Sequence, residues 1–259
     1  MRHWLPETPM LCDAHVHVGY FPRWGYENPF YYSPRRIFGI LKRCGVEKFI
    51  FSSTNAIWDE SGKAMHAEVE EMLRLAGKKA HPFFWCTLEY FQRDPELTGI
   101  PDFYEGIKLH GGESPWLNHQ DRLTALLRIA EKRNWKIQIH TDKEKKYGTM
   151  MEYEPFCRDF PHLHFDFAHG TPCSHAVGIV RRNRNVWVDT AFVPEHTLLK
   201  WKEEPDLRNR ILFGSDLPAP QRHWDVSLTG YYRELCRNTY ALFGEQPAEN
   251  FHHFLYGGD

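Results

Sequence analysis

The sequence predicts a single (β/α)8 TIM barrel, an α/β fold, over residues 1–259. Eight short β-rich runs alternate with helix-like segments along the whole chain, and such alternation predicts a parallel sheet. No linker divides the chain, and its length is close to the roughly 250 residues typical of this barrel. An open doubly wound sheet is the alternative. It usually carries a glycine-rich phosphate loop after its first strand, where this chain has Gly19-Tyr20-Phe21-Pro22-Arg23.

The first half of the chain supplies four predicted strands, at residues 11–17, 48–52, 82–88 and 106–110. A helix is predicted over 33–44, because Ser33 can cap it and Pro34 suits its first position. The next helix, 61–78, carries apolar residues at helical spacing. Residues 90–105 contain two prolines and a glycine, so this link is expected to hold a short helix or none.

The second half of the chain supplies the other four strands, at residues 136–140, 163–168, 186–189 and 210–215. An amphipathic helix is predicted over 120–133, since its leucines fall on one side. Further helices are predicted over 143–159, 173–182 and 195–209, and one or two closing helices over 224–255.

Composition excludes several classes of partner. The formal net charge is −2, so no basic field attracts nucleic acid. No window approaches the roughly 20 apolar residues of a membrane span, and the first residues lack the apolar run of a signal peptide. The six cysteines are scattered without a C-x-x-C pair, which favours free thiols in a reducing compartment. We therefore expect a cytoplasmic protein that acts on a small molecule, without nucleic-acid or membrane partners, and homo-oligomerisation stays open.

Titratable side chains recur where the predicted strands end. The catalytic face of such a barrel is formed by the C-terminal ends of its strands. Histidine, lysine or aspartate occurs at five of the eight ends, namely His15 and His17, Lys108 and His110, His140, His169, and Asp216. Side chains alternate along a strand, so His15 and His17 share one face. The sequence therefore predicts a site built from several strand ends.

These residue types suit a divalent metal ion. A catalytic Zn²⁺ takes about three protein ligands and keeps one position for water, which His15, His17, His140 and Asp216 would satisfy. Asp216 could then accept a proton from water whose pKa the metal lowers to about 7. His169 could donate a hydrogen bond to a developing oxyanion.

Strand alternation also makes two weaker predictions about the residues near the site. Asp13 has the parity of His15, so it is expected on the same face, as a buried hydrogen-bond partner that could orient an imidazole. If His169 faces the barrel interior, alternation directs Asp166 towards the helices, which is an unusual place for a carboxylate, unless the strand twists or ends before His169.

The ordered set His15-x-His17, Lys108, His140, His169 and Asp216 resembles the amidohydrolase superfamily. The strings Gly-Ile-Lys-Leu-His at 106–110, Phe-Gly-Ser-Asp-Leu-Pro at 213–218 and Phe-Gly-Glu-Gln-Pro-Ala-Glu-Asn-Phe at 243–251 resemble its amidohydrolase-2 branch. That branch includes aminocarboxymuconate-semialdehyde decarboxylase, resorcylate decarboxylases and pyrone-dicarboxylate hydrolase. The resemblance implies a barrel of the metallo-dependent hydrolase type.

The resemblance also implies roles for individual residues. His15, His17, His140 and Asp216 become the metal ligands, and His169 polarises substrate or water. Lys108 has two implied roles: in two-metal members such a lysine is carbamylated and bridges both ions, and in many mononuclear members it contacts substrate or is replaced. We favour one Zn²⁺ and keep a two-metal site with carbamylated Lys108 as the alternative.

The leading hypothesis for function is a metal-dependent hydrolase that cleaves an ester, lactone or amide bond in a small polar substrate. A non-oxidative decarboxylase on the same site is the alternative enzyme, and an inactive metal-binding scaffold is the alternative of another class. A nuclease of the TatD type would be expected to carry glutamate where Lys108 stands. The aromatic loop from Tyr20 to Tyr32 is expected to be a pocket wall or lid, or else a packed rim or dimer contact.

Overall fold

A computed structural model of the protein describes residues 10–22, 27–143, 148–223 and 227–257. Part of the aromatic loop (23–26), the start of the predicted helix 143–159 and the first residues of the closing segment therefore lie outside the described residues. Nine strands occur in the described part, namely β1 (Leu11–Phe21), β2 (Phe30–Tyr32), β3 (Val46–Ser53), β4 (Ala80–Trp85), β5 (Gly106–His110), β6 (Lys136–His140), β7 (Phe165–Ala168), β8 (Val186–Asp189) and β9 (Ile211–Leu212).

The strands form one curled sheet that closes on itself. Their order is β2-β1-β3-β4-β5-β6-β7-β8-β9, and every pairing is parallel except the short antiparallel addition of β2 to β1. β1 then meets the chain around and after β9. The Ala14 amide donates to the Phe213 carbonyl at 2.7 Å and the His17 amide donates to the Leu217 carbonyl at 2.7 Å. The predicted barrel of eight parallel strands is thus confirmed.

The helices of the described residues lie outside the sheet, except the last. They are α1 (Pro34–Arg43), α2 (Asn55–Trp58), α3 (Lys63–Ala76), α4 (Leu88–Arg93), α5 (Gln120–Lys132), α6 (Met150–Asp159), α7 (Cys173–Arg182), α8 (Glu195–Lys202), α9 (Pro205–Arg208), α10 (Pro220–His223), α11 (Leu228–Phe243) and α12 (Gln246–Tyr256). The Ser33 hydroxyl accepts a hydrogen bond from the Arg36 amide at 3.3 Å, which confirms the predicted cap of α1. None of these helices is both long and apolar enough to cross a lipid bilayer.

Several predicted boundaries differ from the structure, for example the strand predicted over 210–215, which is Ile211–Leu212, and two of the differences have a clear local cause. The strand predicted over 82–88 ends at Trp85, because the Thr87 hydroxyl accepts from the Tyr90 amide at 3.2 Å and begins α4. The helix predicted over 195–209 is interrupted between α8 and α9, and Pro205 begins the second piece. Proline lacks the amide that a continuous helix would need there.

One end of the barrel interior is filled by α12. Phe251, Phe254 and Leu255 of this helix pack against Phe83 and Leu212 inside the sheet. The larger apolar core lies between the strands and the outer helices. Because α12 closes the N-terminal end of the strands, the opposite end is left for a cavity, as expected for this barrel class.

Asn250 fastens α12 to the barrel. Its fully buried side-chain amide donates to the carbonyls of Arg208 and Ile211, both at 2.8 Å. Replacing Asn250 with alanine leaves two carbonyls without this donor, so we expect a loss of about 1–3 kcal/mol in unfolding free energy. Urea denaturation measures this loss. His253→Ala, at an exposed position of the same helix, is the control, and equal midpoints for the two variants would contradict the prediction.

Candidate metal centre

A bulge in β1 directs both predicted histidines into the cavity. Asp13 pairs with Phe49 of β3 and Val16 pairs with Phe51, so β1 advances by three residues where β3 advances by two. Before this shift Cys12 and Ala14 face the barrel interior, and after it His15 and His17 do. The extra residue reverses the alternation. Asp13 therefore does not share the face of His15.

Asp13 instead points to the helix layer. Its carboxylate accepts a hydrogen bond from the hydroxyl of Tyr232 on α11 at 2.8 Å and another from the backbone amide of His15 at 3.0 Å. Asp13 is the buried hydrogen-bond partner that the sequence predicts, but the expectation that it shares the face of His15 and orients an imidazole is wrong, because the bulge falls between the two residues.

The β1 histidines meet Asp216 at the open end of the barrel. The Nε2 atoms of His15 and His17 are 3.0 Å apart, and Asp216 Oδ1 is 3.4 Å from the first and 3.1 Å from the second. His17 Nδ1 lies 2.9 Å from the hydroxyl of Ser52 on β3. His15 Nδ1 lies 2.7 Å from Asp189 Oδ2. Both Nδ1 atoms therefore have partners, and both Nε2 atoms converge on one carboxylate oxygen.

His169 reaches the same cluster through an unusual backbone conformation. β7 ends at Ala168, and His169 has φ +69°, so strict alternation stops before it. Asp166 therefore faces the barrel interior, where it accepts a hydrogen bond from Gln138 Nε2 at 2.8 Å. β7 thus ends before His169, which is the exception stated with that expectation, and Asp166 does not face the helices. Asp216 also has a positive φ, +50°, and such outliers concentrate at functional sites.

His140 and His169 form a pair on neighbouring strands. His169 Nε2 is 3.1 Å from His140 Nδ1, and His169 Nδ1 is 3.1 Å from the Ala191 carbonyl. A carbonyl only accepts, so Nδ1 of His169 donates to it and Nε2 keeps a lone pair. The other face of His140 stacks on His110 with ring centroids 4.0 Å apart. His140 therefore joins the cluster through His169.

Burial sets the protonation of the site. It lowers the pKa values of His15 and His17, and that of His140 to about 4. These rings are neutral at pH 7 and offer lone pairs. Burial acts in the opposite sense on Asp216, but the neighbouring rings of His15, His17 and His169 hold the pKa of that carboxyl well below its usual range.

Lys108 is fully buried beside the histidines, with Nζ 3.0 Å from His15 Nε2. Burial lowers the pKa of its amine to about 8, although the carboxylates of Asp216, Asp189 and Asp166 favour its charged form. An amine with such a pKa is partly neutral near pH 8. This is the chemical state that carbamylation requires, so the geometry leaves both predicted roles of Lys108 open.

The donor set fits a divalent cation. One ligand atom each from His15, His169 and Asp216 lies within 4.8 Å of the others. The Nδ1 atom of His15 donates to Asp189 Oδ2 at 2.7 Å, so its Nε2 also carries a lone pair. Lone pairs and a carboxylate directed at the same space are the chemistry that a transition-metal ion satisfies.

All six predicted site residues line one cavity of about 620 Å³ at the C-terminal end of the strands. Its apolar walls are Phe21, Trp85 and Phe192. Phe21 belongs to the predicted aromatic loop, so part of that loop is a pocket wall. Tyr20 and Tyr31, by contrast, are exposed and face each other with ring centroids 5.0 Å apart.

Asp189 is the site residue that the sequence prediction missed. Besides accepting from His15, it accepts from the backbone amides of His169 at 2.9 Å and Ala191 at 3.0 Å. A Cβ atom at Gly214 would lie 2.7 Å from Asp189 Cγ, so the neighbouring strand end must leave room for it. Asp189 ends β8, and a carboxylate in the last position of the predicted strand 186–189 was the available signal. The prediction missed it because Thr190, the residue that follows this strand, was read as the strand end.

Replacing Asp189 with asparagine is expected to weaken metal binding by about 10–100-fold, the effect typical of losing a carboxylate behind a ligating histidine. The amide cannot accept from His15 with the strength of a carboxylate. Competition with a chromophoric chelator measures the affinity. Asp206→Asn, which removes an exposed carboxylate paired with Arg181, is the control. An Asp189→Asn protein with the affinity of the control would contradict this role.

The family model described as amidohydrolase matches residues 57–257, and no curated protein sequence matches the chain. The fold is similar to that of an amidohydrolase 2 from Bifidobacterium longum subsp. infantis, with a TM-score of 0.64 and 13% identity over 97% of this chain and 100% of that one.

Two further structures share the fold at low identity. A probable 2-pyrone-4,6-dicarboxylic acid hydrolase from Acinetobacter baumannii has a TM-score of 0.56 and 12% identity, over 90% of this chain and 99% of its own. A 5-carboxyvanillate decarboxylase from Novosphingobium aromaticivorans, complexed with manganese, has a TM-score of 0.54 and 12% identity, over 90% and 96% of the two chains. These structures show the shared fold, and the family model confirms the resemblance inferred from the strand-end residues.

Proposed function

Because the chain belongs to the amidohydrolase family of enzymes, we propose that it is a metal-dependent hydrolase of a small polar substrate with an ester, lactone or amide bond. The observation that carries the proposal is the convergence of His15, His17, His169 and Asp216 at the open end of the barrel. The cavity above them has a volume of about 620 Å³, which suits a small molecule.

The chain's own residues have separate roles in the proposed hydrolysis. When bound, a divalent ion supplies Lewis acidity, which lowers the pKa of water to about 7 and polarises a carbonyl. Asp216 accepts the proton of the attacking water, because its carboxyl is ionised and borders the cavity. His15 is held in its ligating tautomer by Asp189, and His17 is oriented by Ser52.

The pair His140 and His169 completes the site, with one ring as ligand and the other towards substrate. The sequence favours His140 as the ligand, whereas the lone pair of His169 Nε2 and its place near His15 and Asp216 favour His169. We expect His169→Ala to lower metal affinity more than His140→Ala does. Isothermal titration of the metal-free proteins compares them, and a larger loss in His140→Ala would restore the sequence-based assignment.

Zn²⁺ is the proposed ion, because nitrogen donors and one carboxylate suit zinc. Mn²⁺ is the alternative, since the similar decarboxylase binds manganese. One ion is proposed, and a second ion would require carbamylated Lys108 as a bridge. Addition of bicarbonate followed by intact-protein mass measurement under native conditions would detect a carbamate on Lys108 as a gain of about 44 Da.

Decarboxylation on the same site is the second candidate. The rings of Phe21, Trp85 and Phe192 line the cavity, which would suit a substrate that carries a planar ring. In decarboxylation the bond to the carboxylate breaks, carbon dioxide leaves and the substrate carbon takes up a proton in its place, so no attacking water is needed. The two reactions are therefore distinguished by their products rather than by the metal ligands.

A substrate panel tests the proposal. The metal-free protein is prepared with a chelator, reloaded with Zn²⁺ or Mn²⁺, and assayed on lactones, esters, amides and aromatic carboxylates, with carbon dioxide release scored separately. We expect hydrolysis that disappears with the chelator and returns with the ion. Release of carbon dioxide alone would establish the decarboxylase. Full metal loading without turnover of any compound would favour the inactive scaffold.

A further inference from the structure

The seam where the barrel closes carries a carboxylate that the proposed chemistry does not use. β1 meets the end of β9 through two backbone hydrogen bonds, Ala14 to Phe213 and His17 to Leu217. Between these bonds β1 advances three residues and the other segment advances four. The two backbones are out of step there, and this mismatched stretch carries His15 and Asp216.

The side chain of Asp13 fills the gap in the seam. Its Oδ1 atom accepts from the backbone amide of His15 at 3.0 Å and from that of Ser215 at 3.1 Å. One oxygen thus ties the amide of a metal-ligand candidate to the amide that precedes Asp216. The Ser215 hydroxyl adds a bond to the His15 carbonyl at 3.3 Å.

A further hydrogen bond, from the helix layer, fixes the side chain of Asp13. Its Oδ2 atom accepts from the hydroxyl of Tyr232 on α11 at 2.8 Å, and both side chains are completely buried. The carboxylate therefore cannot swing away from the two amides without losing this bond. Buried backbone amides need a partner, and here one side-chain oxygen serves the two segments that bring His15 and Asp216 together.

We propose that Asp13 is a positioning residue that locks the β1–β9 seam and thereby sets the distance between His15 and Asp216. The inference rests on the proposed metal site. Asp13 touches neither the cavity nor any ligand side chain in the described contacts, so its effect passes through the two backbones. What matters is an acceptor at Oδ1, because both amides donate to that atom.

The test compares Asp13→Asn, Asp13→Ser and Asp13→Ala with the wild type, as full-length metal-free proteins titrated with Co²⁺ and Zn²⁺. Asparagine keeps an oxygen at the Oδ1 position. Alanine removes it, and the serine hydroxyl is too short to reach both amides. We expect Asp13→Asn to bind within about threefold of wild type. Asp13→Ala and Asp13→Ser should lose at least about 10-fold, as for other residues behind the ligands, and should show an altered Co²⁺ absorption spectrum.

Tyr232→Phe separates positioning from stability. It removes one buried hydrogen bond from the same carboxylate but leaves both amide bonds to Oδ1, so its melting temperature should fall while its Co²⁺ spectrum stays that of the wild type. Equal metal affinity in Asp13→Ala and wild type would overturn the inference. It would also be overturned if Asp13→Asn lost as much metal affinity as Asp13→Ala. The same holds if the metal affinity of Tyr232→Phe fell together with its melting temperature.

Hydrogen exchange of the wild type provides a readout that does not depend on folding of the variants. The His15 and Ser215 amides should be as protected as those of neighbouring strand residues, and exchange at surface rates would overturn the inference. A wild type that binds neither ion would overturn the proposed function and this inference together. Unchanged metal binding in Asp13→Ala would overturn the inference alone.

Discussion

Replacing Asp216 with asparagine is expected to lower kcat by at least about 100-fold, the lower bound for removing a positioned general base. Asparagine, like aspartate, adopts the left-handed backbone found at this position, φ +50°, because its short polar side chain can hydrogen-bond locally, and it is similar in size, so the fold should persist. The amide cannot accept the proton, and it presents a weaker oxygen to a cation. Steady-state kinetics on the substrate identified by the panel measure the effect.

Asp121→Asn, at an exposed position on α5, is the matched control for this substitution. It removes one exposed carboxylate that does not line the cavity and should leave kcat unchanged. A rate for Asp216→Asn within threefold of this control would rule out Asp216 as the proton acceptor. Metal content should be measured in the same preparation, so that a loss of chemistry is separated from a loss of the ion.

Replacing both His15 and His17 with alanine is expected to abolish stoichiometric metal binding. Their Nε2 atoms are 3.0 Å apart and both approach Asp216, so the double variant removes the β1 share of the site. The loss should exceed the roughly 10–100-fold that follows removal of a residue behind the ligands. Metal content after dialysis measures it.

The control for the double variant removes two histidines elsewhere. His162 and His175 are both exposed, so the His162→Ala/His175→Ala protein should keep the wild-type metal content. Retention of metal by the His15→Ala/His17→Ala protein would show that the ion, if present, binds at another place in the chain.

Much of the barrel could be predicted because each strand and helix is encoded locally. β-rich runs, the Ser33 cap and the spacing of leucines in α5 predict their elements without knowledge of the fold. The strand ends then follow from the rule that catalytic residues gather on one face. This is why His15, His17, Lys108, His140, His169 and Asp216 could be selected before any geometry was known.

The remaining features depend on contacts between distant segments. The bulge in β1 is set by pairing with β3 on one side and the β9 segment on the other, so alternation misplaced Asp13. The positive φ of His169 ended the alternation in β7 and reversed the orientation expected for Asp166. Asp189 joins the site only because Gly214 leaves room for it.

The central claim is that the strand-end residues hold a divalent ion, and elemental analysis of the purified full-length protein tests it most directly. After dialysis against metal-free buffer, the wild type is expected to retain one equivalent of zinc or manganese per chain, and the His15→Ala/His17→Ala protein is expected to retain none. Two equivalents would establish the two-metal alternative. A wild type that retains no transition metal and takes up none when Zn²⁺ or Mn²⁺ is added would contradict the claim.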